Sequence, residues 1–210
     1  LASQCLAMEP LKVRRIRVTG QLPPGVYAKD VVLTIIRRLG VSGGVGYAYE
    51  YAGDTIERMT MDERMTICNM SIEGGARVGY VNPDDTTYAF LEGRPHTPSG
   101  DAFARAKTWW ASLASDRDAR YDDDVEVRAD ELTPVVTWGT NPGQSVGIDE
   151  PIPAPGDAPD ADRPAVSDAL DYMGLRPGGR LAGQRIDVAF IGSCTNSRLS
   201  HLPEAAGIVR

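Results

Sequence analysis

The chain has 210 residues, 42% of them hydrophobic, and carries 22 Lys and Arg against 29 Asp and Glu for a formal net charge of −7. That length accommodates one large or two small globular domains, the acidic balance argues against a nucleic-acid surface, and no apolar run approaches the roughly 20 residues of a membrane span. No signal-peptide pattern is visible, and Cys5, Cys68 and Cys194 have no disulfide-like spacing, which suits a reducing cytoplasm.

Residues 13–19 alternate apolar and basic side chains and read as a half-exposed strand. A Gly/Pro cluster at 20–25 turns the chain. Residues 28–39 place Val31, Val32, Ile35 and Ile36 on one helical face, with Gly40 closing the helix. The glycine-rich stretch 41–46 then leads into a strand at 47–51 and completes a β-α-β unit. A phosphate-loop reading of Gly43-Gly44-Val45-Gly46 fails, because no Gly-Lys-Ser/Thr follows and the glycines precede a strand.

Thr60-Met61-Asp62-Glu63 fits a capping box, which starts a helix that is expected to run to Glu73 and end at Gly74-Gly75. Asn69 and Glu73 are four apart and share a face. A carboxylate at a helix C-terminus opposes the dipole, so local stability would not select it there. The plain alternative for Glu73 is a solvated surface residue.

Residues 77–81 read as a short strand, and Asp84 or Asp85 caps a helix at 86–92. His96 sits in a loop between two prolines, and no second histidine lies at ligand spacing. Residues 101–113 form an amphipathic helix whose Phe103, Trp109 and Trp110 suit a core or a subunit contact. The polar run 114–124 reads as a solvated connector. Strands are expected at 125–127 and 135–139. The Pro-, Gly- and Asp-rich stretch 140–164 reads as an extended linker without packed elements. A helix at 165–173 ends at Gly174.

The last pattern is the most pointed. Residues 186–191 are an apolar, strand-length run. It stops at Gly192, and a polar turn with a cysteine follows before a helix at 199–209. Open α/β sheets bind ligands at such carboxyl ends of strands. Ser193, Thr195, Asn196 and Ser197 surround Cys194 in sequence with donors that lower a thiol pKa and favour a metal-bound thiolate. The alternative is an inert cysteine buried after a strand.

Ile191-Gly192-Ser193-Cys194-Thr195-Asn196-Ser197 resembles the first cluster-ligand motif of the aconitase superfamily. Two further blocks agree: Met65-Thr66-Ile67-Cys68-Asn69-Met70-Ser71-Ile72-Glu73-Gly74-Gly75-Ala76-Arg77, and Tyr88-Ala89-Phe90-Leu91-Glu92-Gly93-Arg94-Pro95. Together they are more similar to the large subunits of the isopropylmalate dehydratase branch than to aconitase itself. The resemblance runs from about residue 12 to residue 210 and matches the middle of such a subunit.

The resemblance implies an α/β fold of parallel-sheet domains with flanking helices, a first domain at 11–134, and at 135–210 a linker and the start of an incomplete second one. It implies a [4Fe-4S] cluster held by three cysteines, whose open iron acts as a Lewis acid. Cys194 takes the place of the first ligand, and the other two belong to a Cys-x-x-Cys pair that this sequence does not contain. Cys5 and Cys68 fall at no ligand position. Asn69 resembles the asparagine that hydrogen-bonds near the cluster, and Glu73 the glutamate near the departing hydroxyl. Thr195 and Asn196 fall beside the cluster, and Arg198 suits either a substrate carboxylate or a structural role.

The implied reaction interconverts 2-isopropylmalate and 3-isopropylmalate by dehydration and rehydration, in leucine biosynthesis. The implied partners are a small subunit, which brings the serine base, and a small hydroxy-dicarboxylate substrate. Two alternatives stay open: homoaconitate hydratase or another aconitase-like hydratase, and a non-catalytic relative. Both ends read as cut, and the chain alone is expected to be inactive.

Overall fold

The computed structural model describes residues 5, 7–192, 195 and 198–209. Its main sheet has four strands: β1 (Lys12–Thr19), β2 (Tyr47–Ala52), β3 (Val78–Val81) and β4 (Asp123–Arg128), in the order β3-β2-β1-β4. Every pairing is parallel, with Ile16 opposite Tyr51 on one side and Val125 on the other, and Tyr49 opposite Gly79. Helices α1 (Ala28–Leu39), α2 (Asp54–Arg58), α3 (Met61–Met70), α4 (Asp85–Leu91) and α5 (Gly100–Ala111) connect these strands. The result is the α/β architecture with flanking helices that the sequence predicts.

Side-chain alternation sorts β1 between two environments. Ile16 and Val18 enter a core shared with Val31 and Ile35 of α1, Tyr49 and Tyr51 of β2, and Ile56 and Ile67. Arg14 lies on the same face and is also buried. Its guanidinium is satisfied by Asp123 at 2.6 Å, the Gly43 carbonyl at 2.7 Å and the Tyr49 hydroxyl at 3.2 Å. On the other face, Arg15 and Arg17 both pair with Asp124. Arg15 also lies over the Tyr121 ring, 4.5 Å from its centroid. The basic residues that make β1 look half-exposed therefore staple the edge strand β4.

Glu50, on β2, faces away from the core and is nonetheless buried. Its carboxylate accepts hydrogen bonds from Tyr80 (3.0 Å), Asn82 (3.1 Å), Ser115 (2.6 Å) and Tyr121 (2.8 Å). Four neutral donors compensate its lost hydration. They also seat the 115–121 stretch on the sheet, which corrects the reading of that stretch as a solvated connector.

Three further expectations change. Helix α3 stops at Met70 and continues as a tight turn over Ile72–Gly74, closed by Gly75 at φ 85°. Ser71 marks the break: its Oγ donates to the Ile67 carbonyl and bonds the Tyr51 hydroxyl. The 140–164 stretch is no unpacked linker. Strand β6 (Ser145–Gly147) pairs antiparallel with β5 (Val135–Thr137). Behind them Trp138, Val146 and Ile152 are buried with Val166 and Leu170 of α6 (Arg163–Met173). Residues 186–191 form no strand. Val188 is 84% and Phe190 86% exposed. A strand needs a ladder partner, and none among the described residues pairs with this run.

Helix α5 buries no residue, and Trp109 is 62% exposed. Trp110 instead stacks on Tyr88 and meets Phe103 edge-on. The last described element is α7 (Leu202–Val209), preceded by a tight turn at Leu199–His201. No helix among the described residues is long and apolar enough to cross a membrane.

Candidate functional site

A cleft of about 920 Å³ lies beside the helices α1 and α3. One wall is the N-terminal turn of α1, with Tyr27, Lys29 and Asp30. A second is the α3 face bearing Asp62, Glu63, Thr66 and Met70, extended by Glu73. The third is β5 with the loop to Pro142, and Ile191, Ser200, His201, Ala205 and Ile208 close the cleft from the C-terminal side.

Local sequence explains most of its carboxylates. Glu63 completes the capping box, accepting from the Thr60 amide at 2.8 Å while Thr60 Oγ1 accepts from the Glu63 amide. Asp30 accepts from the Tyr27 amide at 2.8 Å and from the Val135 amide at 2.7 Å, which fastens β5 to α1. Asp62 holds Arg198 and Ser200. Each of these satisfies an orphan helix-terminal donor or a cation. Glu73 differs: it is exposed in the cleft and makes no hydrogen bond or ion pair with a described residue. Lys29, half-buried on the facing wall, likewise makes no ion pair with a described residue.

Arg198 joins the C-terminal segment to α3. One terminal nitrogen donates to the Asp62 carbonyl at 3.2 Å, Thr66 Oγ1 at 3.0 Å and the Thr195 carbonyl at 2.9 Å. Its Nε lies 3.4 Å from an Asp62 carboxylate oxygen. Ser200 Oγ donates to the other oxygen at 2.6 Å. The Arg198 amide donates to Nδ1 of His201 at 3.3 Å.

The structure thus sets Arg198, with the Thr195 carbonyl, against Asp62 and Thr66 of α3, while Glu73 lies beyond the other end of that helix and lines the cleft. Asn69 is exposed on the same helix but does not line the cleft. Cys194 and Asn196 lie outside the described residues. Among those residues no group of three or more His, Cys, Asp or Glu is placed to hold a metal ion. Burial pushes the Cys68 thiol up to about 11, only partly offset by nearby Arg64.

Sequence reasoning missed Lys29, Asp62 and Thr66. Lys29 reads as an ordinary helix-start residue, and Asp62 as part of the capping turn. The signal was the spacing of Asp62 and Thr66, four apart on the face that continues to Glu73.

Comparison with known proteins identifies the family. The aconitase family (aconitate hydratase) model matches residues 1–210. A 3-isopropylmalate dehydratase large subunit from Crocosphaera subtropica is 61% identical over 206 residues, covering 98% of this chain and 44% of that protein. Proteins of the same name from Synechococcus sp. (strain JA-3-3Ab) and Opitutus terrae are 61% and 59% identical, each over 100% of this chain and 45% of their own length. The chain thus spans a little under half the length of the curated relatives it matches.

Proposed function

The chain belongs to the aconitase family, and from that premise we propose that it is part of the large subunit of a hydro-lyase of the 3-isopropylmalate dehydratase type. The reaction is the interconversion of 2-isopropylmalate and 3-isopropylmalate by loss and return of water, in leucine biosynthesis. The observation that carries this reading is identity near 60% to large subunits of that name along the whole chain. The cleft supports it with a carboxylate, Glu73, and an ammonium, Lys29, on facing walls, neither ion-paired with a described residue.

In this reading Glu73 takes up or delivers a proton at the substrate hydroxyl, the work a carboxylate without a fixed partner can do. Among the described residues, Lys29 lines the cleft and is a cation available to a substrate carboxylate. Asn69, Thr195 and Asn196 lie beside the cluster in this reading, as the family resemblance implies. The complete protein holds a [4Fe-4S] cluster to which Cys194 contributes one ligand, and the remaining ligands come from outside this chain. A small subunit completes the site, and the enzyme works in the cytoplasm. The division into 11–134 and 135–210 belongs to the same proposal.

The test uses the complete protein, purified without oxygen and mixed with its small subunit. Conversion of 2-isopropylmalate is followed by the ultraviolet absorbance of the unsaturated intermediate, isopropylmaleate. Turnover of 2-isopropylmalate well above that of homocitrate and citrate is expected. Preference for homocitrate would make the protein a homoaconitate-type hydratase, and no turnover of any of the three would overturn the enzymatic reading.

A further inference from the structure

We infer that the apolar floor of the cleft, made by Leu33, Met70 and Val135, receives the alkyl branch of the substrate and sets a preference for a branched hydroxy-dicarboxylate. The identity of the acid rests on the proposed function; the placement of its branch rests on the lining of the cleft.

Leu33, Met70 and Val135 come from three elements, α1, α3 and β5, and all three line the cleft. Leu33 and Met70 are each 5% exposed and form one apolar cluster with Val32 and Ile36, against which Val135 packs. The floor is therefore backed by close packing and holds its shape. Two charged side chains flank it. Lys29 lies one turn before Leu33 on the same face of α1, and Glu73 lies three residues beyond Met70. The turn that carries Glu73 sits beside the far end of α1: Ile36 shares the cluster with Met70, and the Gly44 amide donates to the Gly74 carbonyl at 2.8 Å. The cleft thus presents a cation, an apolar floor and a carboxylate in sequence, and neither charge is ion-paired with a described residue.

A branched malate carries the matching features: carboxylates, an alkyl branch and a hydroxyl. From Lys29 to Ile36 the helix rises about 10 Å, a span that a lysine side chain and a four-carbon diacid bridge together. With a carboxylate at Lys29 and the hydroxyl at Glu73, the branch faces Leu33, Met70 and Val135. An apolar pocket of this kind discriminates by about tenfold or more for each carbon it buries. A carboxymethyl branch, as in citrate, would set its charge against apolar carbon without a partner, which is costly. A floor covered instead by another segment of the complete protein would give neither preference.

The experiment uses the complete protein with its small subunit and compares kcat/KM for 2-isopropylmalate and for 2-methylmalate, the same acid with its branch cut to a methyl. The ratio of the two cancels damage common to both substrates. The unaltered protein is expected to prefer the isopropyl acid about 100-fold. Val135→Thr, which puts a hydroxyl where a methyl stood, is expected to lower that ratio about fivefold. Val135→Phe, which fills the floor, is expected to lower it further. Val45→Thr, an exposed change away from the cleft, is expected to leave it unchanged. A ratio that neither Val135 variant moves would overturn the alkyl subsite and leave the floor to another segment of the complete protein. An equal shift in Val45→Thr would overturn it as well. If the unaltered protein turns over neither acid, the proposed function fails, and calorimetric affinities for the same two acids decide the subsite. Tighter binding of the isopropyl acid that Val135→Thr weakens then sustains it, and equal affinities overturn it.

Discussion

Glu73 and Cys68 show how differently two polar groups near one helix end can be treated. Glu73 is held by no described neighbour and faces the cleft. In the complete protein Glu73→Gln is expected to lower kcat by about 100-fold or more, the usual scale of a lost proton-transfer group. Circular dichroism and cofactor content should stay as they were; a rate within twofold of the original would remove Glu73 from the chemistry. Cys68 is the opposite case. Burial raises its thiol to about 11 against an ordinary 9.0, with Arg64 pulling the other way. The thiolate is the reactive form, so Cys68 should resist iodoacetamide at pH 8, while the exposed Cys5 reacts. Mass spectrometry of the alkylated protein checks this, and equal labelling would contradict the burial. Glu73 stood out in sequence as a carboxylate expected at a helix C-terminus, against the dipole, although the helix in fact stops at Met70 and Glu73 sits in the tight turn that follows. The service of Asp62 was not legible, because a carboxylate in a first helical turn is already explained by the turn.

At the scale of elements, α2, α3 and α4 are pinned by one buried arginine. Arg64 is 2% exposed and grips both oxygens of Asp84 at 2.7 Å, while also donating to the carbonyls of Ile56 and Glu57. Asp84→Ala leaves that charge without its partner and is expected to cost about 2–4 kcal/mol, read from urea unfolding. Desolvation alone would raise the Asp84 carboxyl, but Arg64 and the Thr87 amide outweigh it and hold it below its ordinary 3.8. A depressed carboxyl contributes stability above its unfolded value and loses it as pH falls through the folded one. Unfolding midpoints of the original protein should therefore drop below about pH 4, and those of Asp84→Ala should drop less. Helices α1 and α6 were legible because each carries an apolar stripe and a closing glycine, and α3 because Thr60 and Glu63 form a capping box. Strand β6 was not: at three residues it has no period to read, and the packing of Trp138 and Ile152 defines it. The 115–121 stretch escaped for a related reason. Its polar residues resemble solvent-facing ones until Glu50 is seen to need their donors.

For the whole molecule, the run 186–191 dominates surface behaviour. Ile186, Val188, Phe190 and Ile191 are all exposed, and so are Leu199, Ile208 and Val209. Contiguous apolar surface of this kind binds dyes and other chains. The isolated 210-residue chain is expected to enhance anilinonaphthalene sulfonate fluorescence, and deleting residues 186–210 should abolish most of that signal. A signal that survives the deletion would locate the sticky surface elsewhere, with Trp109 on α5 the first place to look. The strand order has a temporal consequence as well. Strand β1 is central, yet its second neighbour β4 lies 109 residues later in the chain. At roughly 5–20 residues per second of synthesis, β1 waits roughly 5–20 s with that edge open. An open edge invites pairing with a stranger, and charged side chains are the usual defence. Arg14, Arg15 and Arg17 line that edge, and each later meets an aspartate of β4. The same arginines that close the finished sheet thus guard its unfinished edge while the ribosome is still at work.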